Sequence, residues 1–408
     1  MTIHPATGLE PLPVVGAPAE PPASSKWLRD PAWDGAWLLC ALWLAPLAWW
    51  LSRGYADPEA SPLDTLYFGL TALFWIGHRL CSAWLAYCTE AYRPLLRAEP
   101  LRFVALPALI AAACFALLLP TDGALTWTRA ERLVGLAILD YAFVTHHFAA
   151  QHFGALSLYR TRAGRGACAR TRRRDRLFAL GVGGALVVLA DVLAGAVAYQ
   201  AVWVDRWLVP TWLASAQHEI RAAGAGLLAA ATALMLFAEA RAGQISLPRV
   251  LYVLGLSAMV AVALHPRGPF LFLVLWTSQH WIVATGLASQ TPSGESPPAD
   301  GALRRGLHAL NRRPWAVALL AMMSSVLLLP LFEVEANRGS GVYYGDRIFG
   351  AFAAALRDSA WAQALVALGF ATGFAHYALD RGVYRLSDPL VRTAARGLLA
   401  PRGLSSAA

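Results

Sequence analysis

Apolar residues gather into ten long stretches, separated by short polar or arginine-bearing segments. They lie at 34–52, 63–88, 101–120, 132–158, 177–204, 222–240, 248–265, 268–289, 314–333 and 359–381. Each approaches the ~20 residues that a helix needs to cross the hydrocarbon core of a bilayer. A spanning segment must satisfy its own backbone, so the pattern predicts helices rather than open strands. The expected fold is all-α, a polytopic transmembrane bundle of about ten helices occupying residues 34–385. Residues 1–33 are rich in Pro and Ala and lack the apolar core of a cleaved signal peptide. They are expected to be a disordered cytoplasmic tail, with a second tail at 386–408.

Arginine placement orients the bundle. The loop from Arg160 to Arg176 carries eight arginines and one acid, Asp175. Such an excess marks a cytoplasmic loop. Counted outward from it, Lys26 and Arg29, Arg93 and Arg97, Arg241 and Arg249, Arg304 to Arg313, and Arg381 to Arg396 all fall on the same side. The opposite loops are nearly balanced, as at Arg53, Asp57 and Glu59 or Glu333, Glu335 and Arg338. Ten helices with both termini cytoplasmic fit every loop, in a bacterial inner membrane. The segment 290–313 is Pro/Ser/Gly-rich and reads as a flexible loop, and 346–358 as a helix along the outer surface.

Composition agrees. The chain is 57% hydrophobic and 14% charged, against roughly 25% charged in soluble domains. The net charge of +9 serves topology, and no nucleic-acid partner is expected. No repeat, P-loop, dinucleotide fingerprint or HExxH motif occurs. The five cysteines form no CxxC pair and read mostly as buried small hydrophobes. Oligomeric state is not legible.

The histidines carry the chemistry. Of ten, His4 and His308 read as tail and loop residues, and His218 and His265 as outer surface residues. The other six lie inside apolar helices: His78, His146, His147, His152, His280 and His376. They occupy the second, fourth, eighth and tenth segments, always past the midpoint toward the cytoplasmic end. An ionisable group inside the membrane is a functional candidate by default, and neutral imidazole is the commonest metal ligand. All six are candidate metal ligands.

Helical angles refine the fourth segment, "YAFVTHHFAAQHFG". At 100° per residue His147 and Gln151 are about 40° apart, and Asp140 falls within about 20° of His147. His146 and His152 flank this stripe at about 120°, so one straight helix does not aim all three histidines at one ion. Asp380 follows His376 by four residues, where a carboxylate orients a ligand imidazole. Gln279 adjoins His280. Asp140, Gln151, Gln279 and Asp380 are therefore expected beside the centre. Glu239 reads as an interfacial charge, and Asp191 as an isolated polar residue on an odd-numbered helix.

Three stretches, "GHRLCSAWLAYCTEAYR", "HHFAAQHFGALSLYR" and "HYALDRGVYRLSDPLVR", resemble motifs of poorly characterised polytopic bacterial membrane proteins. More distantly, the pattern is similar to the Brp/Blh family of membrane carotenoid-cleaving oxygenases. The resemblance implies several helices and an iron held by histidines, with His152-Phe153-Gly154 matching that family's His-Phe-Gly step. The chain differs in its ten helices and six core histidines, and it lacks the HxxxH and HxxHH boxes of membrane desaturases.

The expected protein is an integral membrane metalloprotein with non-haem iron at a multi-histidine site, oxidising a hydrophobic or lipid substrate. An all-imidazole site also suits copper or zinc. A haem b electron carrier and a proton-coupled transporter using Asp140, Asp191 and the histidines as a relay are the alternatives. No separate catalytic nucleophile or acid/base pair stands out.

Overall fold

A computed structural model of the chain describes residues 26–55, 60–166, 168–194, 215–265, 269–290, 301–336 and 343–395. Residues 1–25 with His4, Asp57 and Glu59, the 195–204 end of the fifth apolar segment, the 291–300 part of the expected loop, Arg338 and residues 396–408 lie outside them. Among the described residues every regular element is helical.

The first span is α1 (Pro31–Ala36) and α2 (Ala41–Ser52). The second is α3 (Pro62–Leu70), a π-helical turn at Thr71–Trp75 and α4 (Ile76–Cys88). A connector, α5 (Arg93–Ala98), leads to a π turn at Leu101–Ala105 and α6 (Leu106–Leu118). Next come α7 (Arg129–Arg162) and then α8 (Ala169–Leu180), a π turn at Gly181–Ala185 and α9 (Leu186–Ala194). α10 (Gln217–Ala240), α11 (Leu247–Ala263) and α12 (Pro269–Ser289) follow. The chain continues through α13 (Ala302–Asn311), α14 (Pro314–Ala336), α15 (Tyr344–Phe349) and α16 (Ala351–Arg357). It ends with α17 (Ala362–Val383) and α18 (Pro389–Ala394).

Eight of these helical runs are long and apolar enough to cross a membrane. The protein is a multi-pass, all-α membrane protein. Of the ten expected spans, the other two also fold as helices. α11 is apolar but 17 residues long, and the α3–α4 run carries Asp64, His78 and Arg79. α12 is the central helix: 89% of its apolar window is buried, against 17% for α6 and α10. A helix apolar all round belongs in the middle of a bundle. α7 has 34 residues, about 51 Å of helix, so it overruns the ~30 Å hydrocarbon core.

At the end of α7 buried charges bind four helices together. Arg160 donates to Asp175 at 2.8 Å, and the Arg249 guanidinium forks onto both Asp175 oxygens. Arg249 Nε donates to Glu239 at 3.0 Å, and Arg165 to the same carboxylate at 3.0 Å. Asp175, Arg249 and Glu239 are all buried. Glu239 is thus a structural partner rather than a free interfacial charge, and part of the arginine run ties α7 and α8 to α10 and α11.

Several boundaries differ from expectation because polar groups outside the spans find partners on the bundle. Residues 26–33, expected in the tail, are packed against the bundle. The Leu28 and Arg29 N–H groups donate to the buried Asp34 carboxylate, which also accepts from Tyr159. Residues 386–395 are docked too: Asp388 meets Arg102 at 3.3 Å, and Val391 is buried. Within the expected flexible loop, residues 302–311 form α13. Arg304 there pairs with Glu90 at 3.0 Å, and Asn311 bonds Trp84 Nε1 and the Cys88 carbonyl, each at 2.8 Å. His308 is consequently buried rather than on the surface. His218 and His265 are exposed. The 346–358 stretch is two short helices, α15 and α16, divided at Gly350, whose φ of +53° suits glycine.

Candidate metal centre

Four helices deliver the site. α4 packs against α12, α14 and α17, and α17 also packs against α7. One glycine allows the approach of α4 to α14: a Cβ at Gly77 would stand 2.3 Å from the Ala321 carbonyl oxygen. The next residue is His78. It follows a π-helical turn, where the regular ladder is interrupted and side chains take over backbone groups. Ile76 N–H donates to Ser325 Oγ at 3.0 Å, and the Trp75 carbonyl accepts from His78 Nδ1.

His78, His147, His280 and His376 converge. Their rings touch in a closed circuit: 5.0 Å between the centroids of His78 and His280, 4.7 Å from His280 to His147, 5.0 Å from His147 to His376, and 4.9 Å from His376 to His78. All four are buried. Two donor groups can be drawn, each with its ligand atoms mutually within 4.8 Å: His78 with His280 and His376, and His147 with His376 and Asp380.

The hydrogen bonds fix which nitrogen faces inward. Gln151 holds His280 at two points, its Oε1 accepting from Nδ1 and its Nε2 donating to the His280 carbonyl at 3.2 Å. His78 Nδ1 is spent on Trp75, and His376 Nδ1 faces Ser82 Oγ at 3.2 Å and Asp380 Oδ1 at 3.5 Å. For His78 and His280 the partner oxygen can only accept, so the Nδ1–H is held from behind and Nε2 keeps its lone pair. His376 Nε2 is buried with no hydrogen-bond partner. His147 Nε2 lies 3.2 Å from His280 Nε2 and 3.5 Å from Asp380 Oδ2. Tying Nδ1–H back to a carbonyl or carboxylate is the usual way a protein aims a ligand imidazole.

Aromatic rings pack around the site. Phe148 lies 4.3 Å from His280, Trp281 5.9 Å from His78, and Tyr377 5.0 Å from His147.

The other expected residues sit as follows. His146 is exposed, one position and about 100° from the buried His147. His152 is buried one turn further along α7, its Nδ1 2.8 Å from Tyr252 OH, outside both donor groups. A Cβ at Gly183 would reach 2.7 Å from its ring, so the close helix contact there needs glycine. Asp140 accepts a hydrogen bond from Tyr377 OH at 3.1 Å and lies outside both donor groups. Gln279 is buried on another face of α12, beside Leu38, Leu251 and Tyr252. Asp191 accepts from Tyr141 OH at 2.6 Å. Tyr377 and Tyr252 were not singled out by sequence. Tyr377 adjoins His376, but a tyrosine in an apolar helix carries no signal of its own. Compared with known protein families, with curated proteins and with solved structures, the chain matches none.

Proposed function

We propose that this is a metalloprotein of the bacterial inner membrane, holding non-haem iron between α4, α7, α12 and α17 and oxidising a hydrophobic or lipid substrate. One observation carries the reading: three buried imidazoles have their Nδ1 atoms hydrogen-bonded from behind, which leaves their Nε2 atoms to meet. Such a donor set also takes copper or zinc, and iron is chosen for the O₂ chemistry it supplies beside apolar substrates. The chain's own residues would fix the imidazole orientations, exclude water through Phe148, Trp281 and Tyr377, and place an acid, Asp380, beside the centre. His152 is no part of the proposed centre.

The spacing favours non-haem metal over haem. Axial imidazoles of a haem stand about 4 Å apart, twice a bond of ~2.0 Å, with a flat macrocycle between them. Here the nearest Nε2 pair is 3.2 Å apart, and the four rings contact one another directly.

Metal analysis and an absorption spectrum of the protein purified in detergent test the proposal together. Bound iron without a Soret band is the expected result. Stoichiometric haem, or a folded protein that neither carries nor takes up any transition metal, overturns it.

The orientation belongs to the same proposal. A reporter active only in the cytoplasm should give signal when fused after Arg170 and none after Gly123. The reverse pattern would place the centre in the outer leaflet.

A further inference from the structure

We infer that the centre holds two cations, bridged by the His376 imidazole. This rests on the proposed metal site and extends it. The five donors do not gather about one point. They form two groups, and His376 alone belongs to both. Ligands of a single ion lie no more than about 4.2 Å apart, twice a bond of ~2.1 Å. Asp380 falls outside the His78/His280/His376 group, and His78 and His280 fall outside the Asp380 group, even at a 4.8 Å limit.

The two faces of the His376 ring edge are chemically distinct. Nε2 is buried and has no hydrogen-bond partner, so it suits the cation shared with His78 and His280. Nδ1 looks the other way, 3.5 Å from Asp380 Oδ1 and 3.2 Å from Ser82 Oγ. Asp380 Oδ2 in turn stands 3.5 Å from His147 Nε2. Two ligands 3.5 Å apart subtend about 113° at an ion ~2.1 Å from each, close to tetrahedral. The second cation therefore sits among His147, Asp380 and His376 Nδ1. His147 Nε2 is also 3.2 Å from His280 Nε2, which places it at the seam between the two positions. Asp380 is the donor that the first position cannot use, and it supplies negative charge where two cations approach each other.

The proton balance follows. His376 Nδ1 carries a proton while only the first position is filled. A cation binding at Nδ1 replaces that proton, which leaves to solvent, and the ring becomes an imidazolate joining the two ions. Occupation of the second position thus releases the His376 Nδ1 proton.

The test is Co²⁺ titration of the full chain in detergent after chelator treatment, with bound metal and released protons measured on monodisperse protein. Two ions per wild-type chain are expected. Asp380→Ala should bind one and lose the proton released with the second. His78→Ala should also bind one, and His376→Ala should lose both. If Asp380→Ala folds poorly, Asp380→Asn serves, since it keeps the shape and removes the charge. One ion per wild-type chain, or two retained in both Asp380 variants, overturns the bridged pair while leaving a metal protein standing. No ion in folded wild type overturns the metal proposal itself.

Discussion

His280→Ala is expected to reduce metal affinity by well over 100-fold, and His146→Ala to leave it within about twofold. The contrast follows from position. His280 offers Nε2 at the junction of the His78 and His147 contacts, and its loss also leaves Gln151 without its partner. His146, though next in sequence to His147, is exposed. Gln151→Leu should fall between the two. It removes only the hydrogen bonds that aim His280, and changes of this kind cost about 10–100-fold in affinity. Equilibrium competition with a chelator, on variants matched for folded protein, gives the ranking. Loss of metal from His146→Ala with retention in His280→Ala would mean that the metal binds away from the histidine circuit.

Arg249→Ala should destabilise the fold by about 3–5 kcal/mol, the range found when one partner of a buried ion pair is removed. The arginine faces two buried carboxylates, Asp175 and Glu239, through three of its donors. Without it both acids remain buried, with Arg160 and Arg165 as their remaining ion-pair partners. Arg249→Lys should recover only part of the loss, because an ammonium is a single point and cannot fork across two carboxylates. Arg172→Ala, on an exposed position of the same helix pair, should stay within about 0.5 kcal/mol. Thermal unfolding of the three variants in one detergent compares them directly. An Arg249→Ala protein as stable as Arg172→Ala would show that the four helices do not depend on this network.

The helices were legible in the sequence because the cost of exposing backbone and polar groups to lipid acts locally. Twenty apolar residues in a row leave few other solutions. The same local rule picked out the intramembrane histidines, since each lies within an apolar run. Angular reasoning on a single helix also worked where one helix sufficed. His147 and Gln151 share a face, and both reach His280.

Tertiary structure decided the rest, for reasons that single positions show. Asp140 shares the angular stripe of His147, but seven residues of helix separate them by about 10.5 Å. It therefore accepts from Tyr377 and lies outside both donor groups. Gln279 adjoins His280 in sequence, yet one residue of rotation turns it about 100° away, toward Leu38 and Tyr252. His308 reads as a loop residue until α13 lies down on the bundle and buries it. Which nitrogen of His78, His280 or His376 faces inward depends on a carbonyl at a π-helical junction, a glutamine on α7 and a serine on α4. The sequence alone determined that imidazoles lie in the membrane. That four of them meet depends on how α4, α7, α12 and α17 pack against one another, which no local pattern sets.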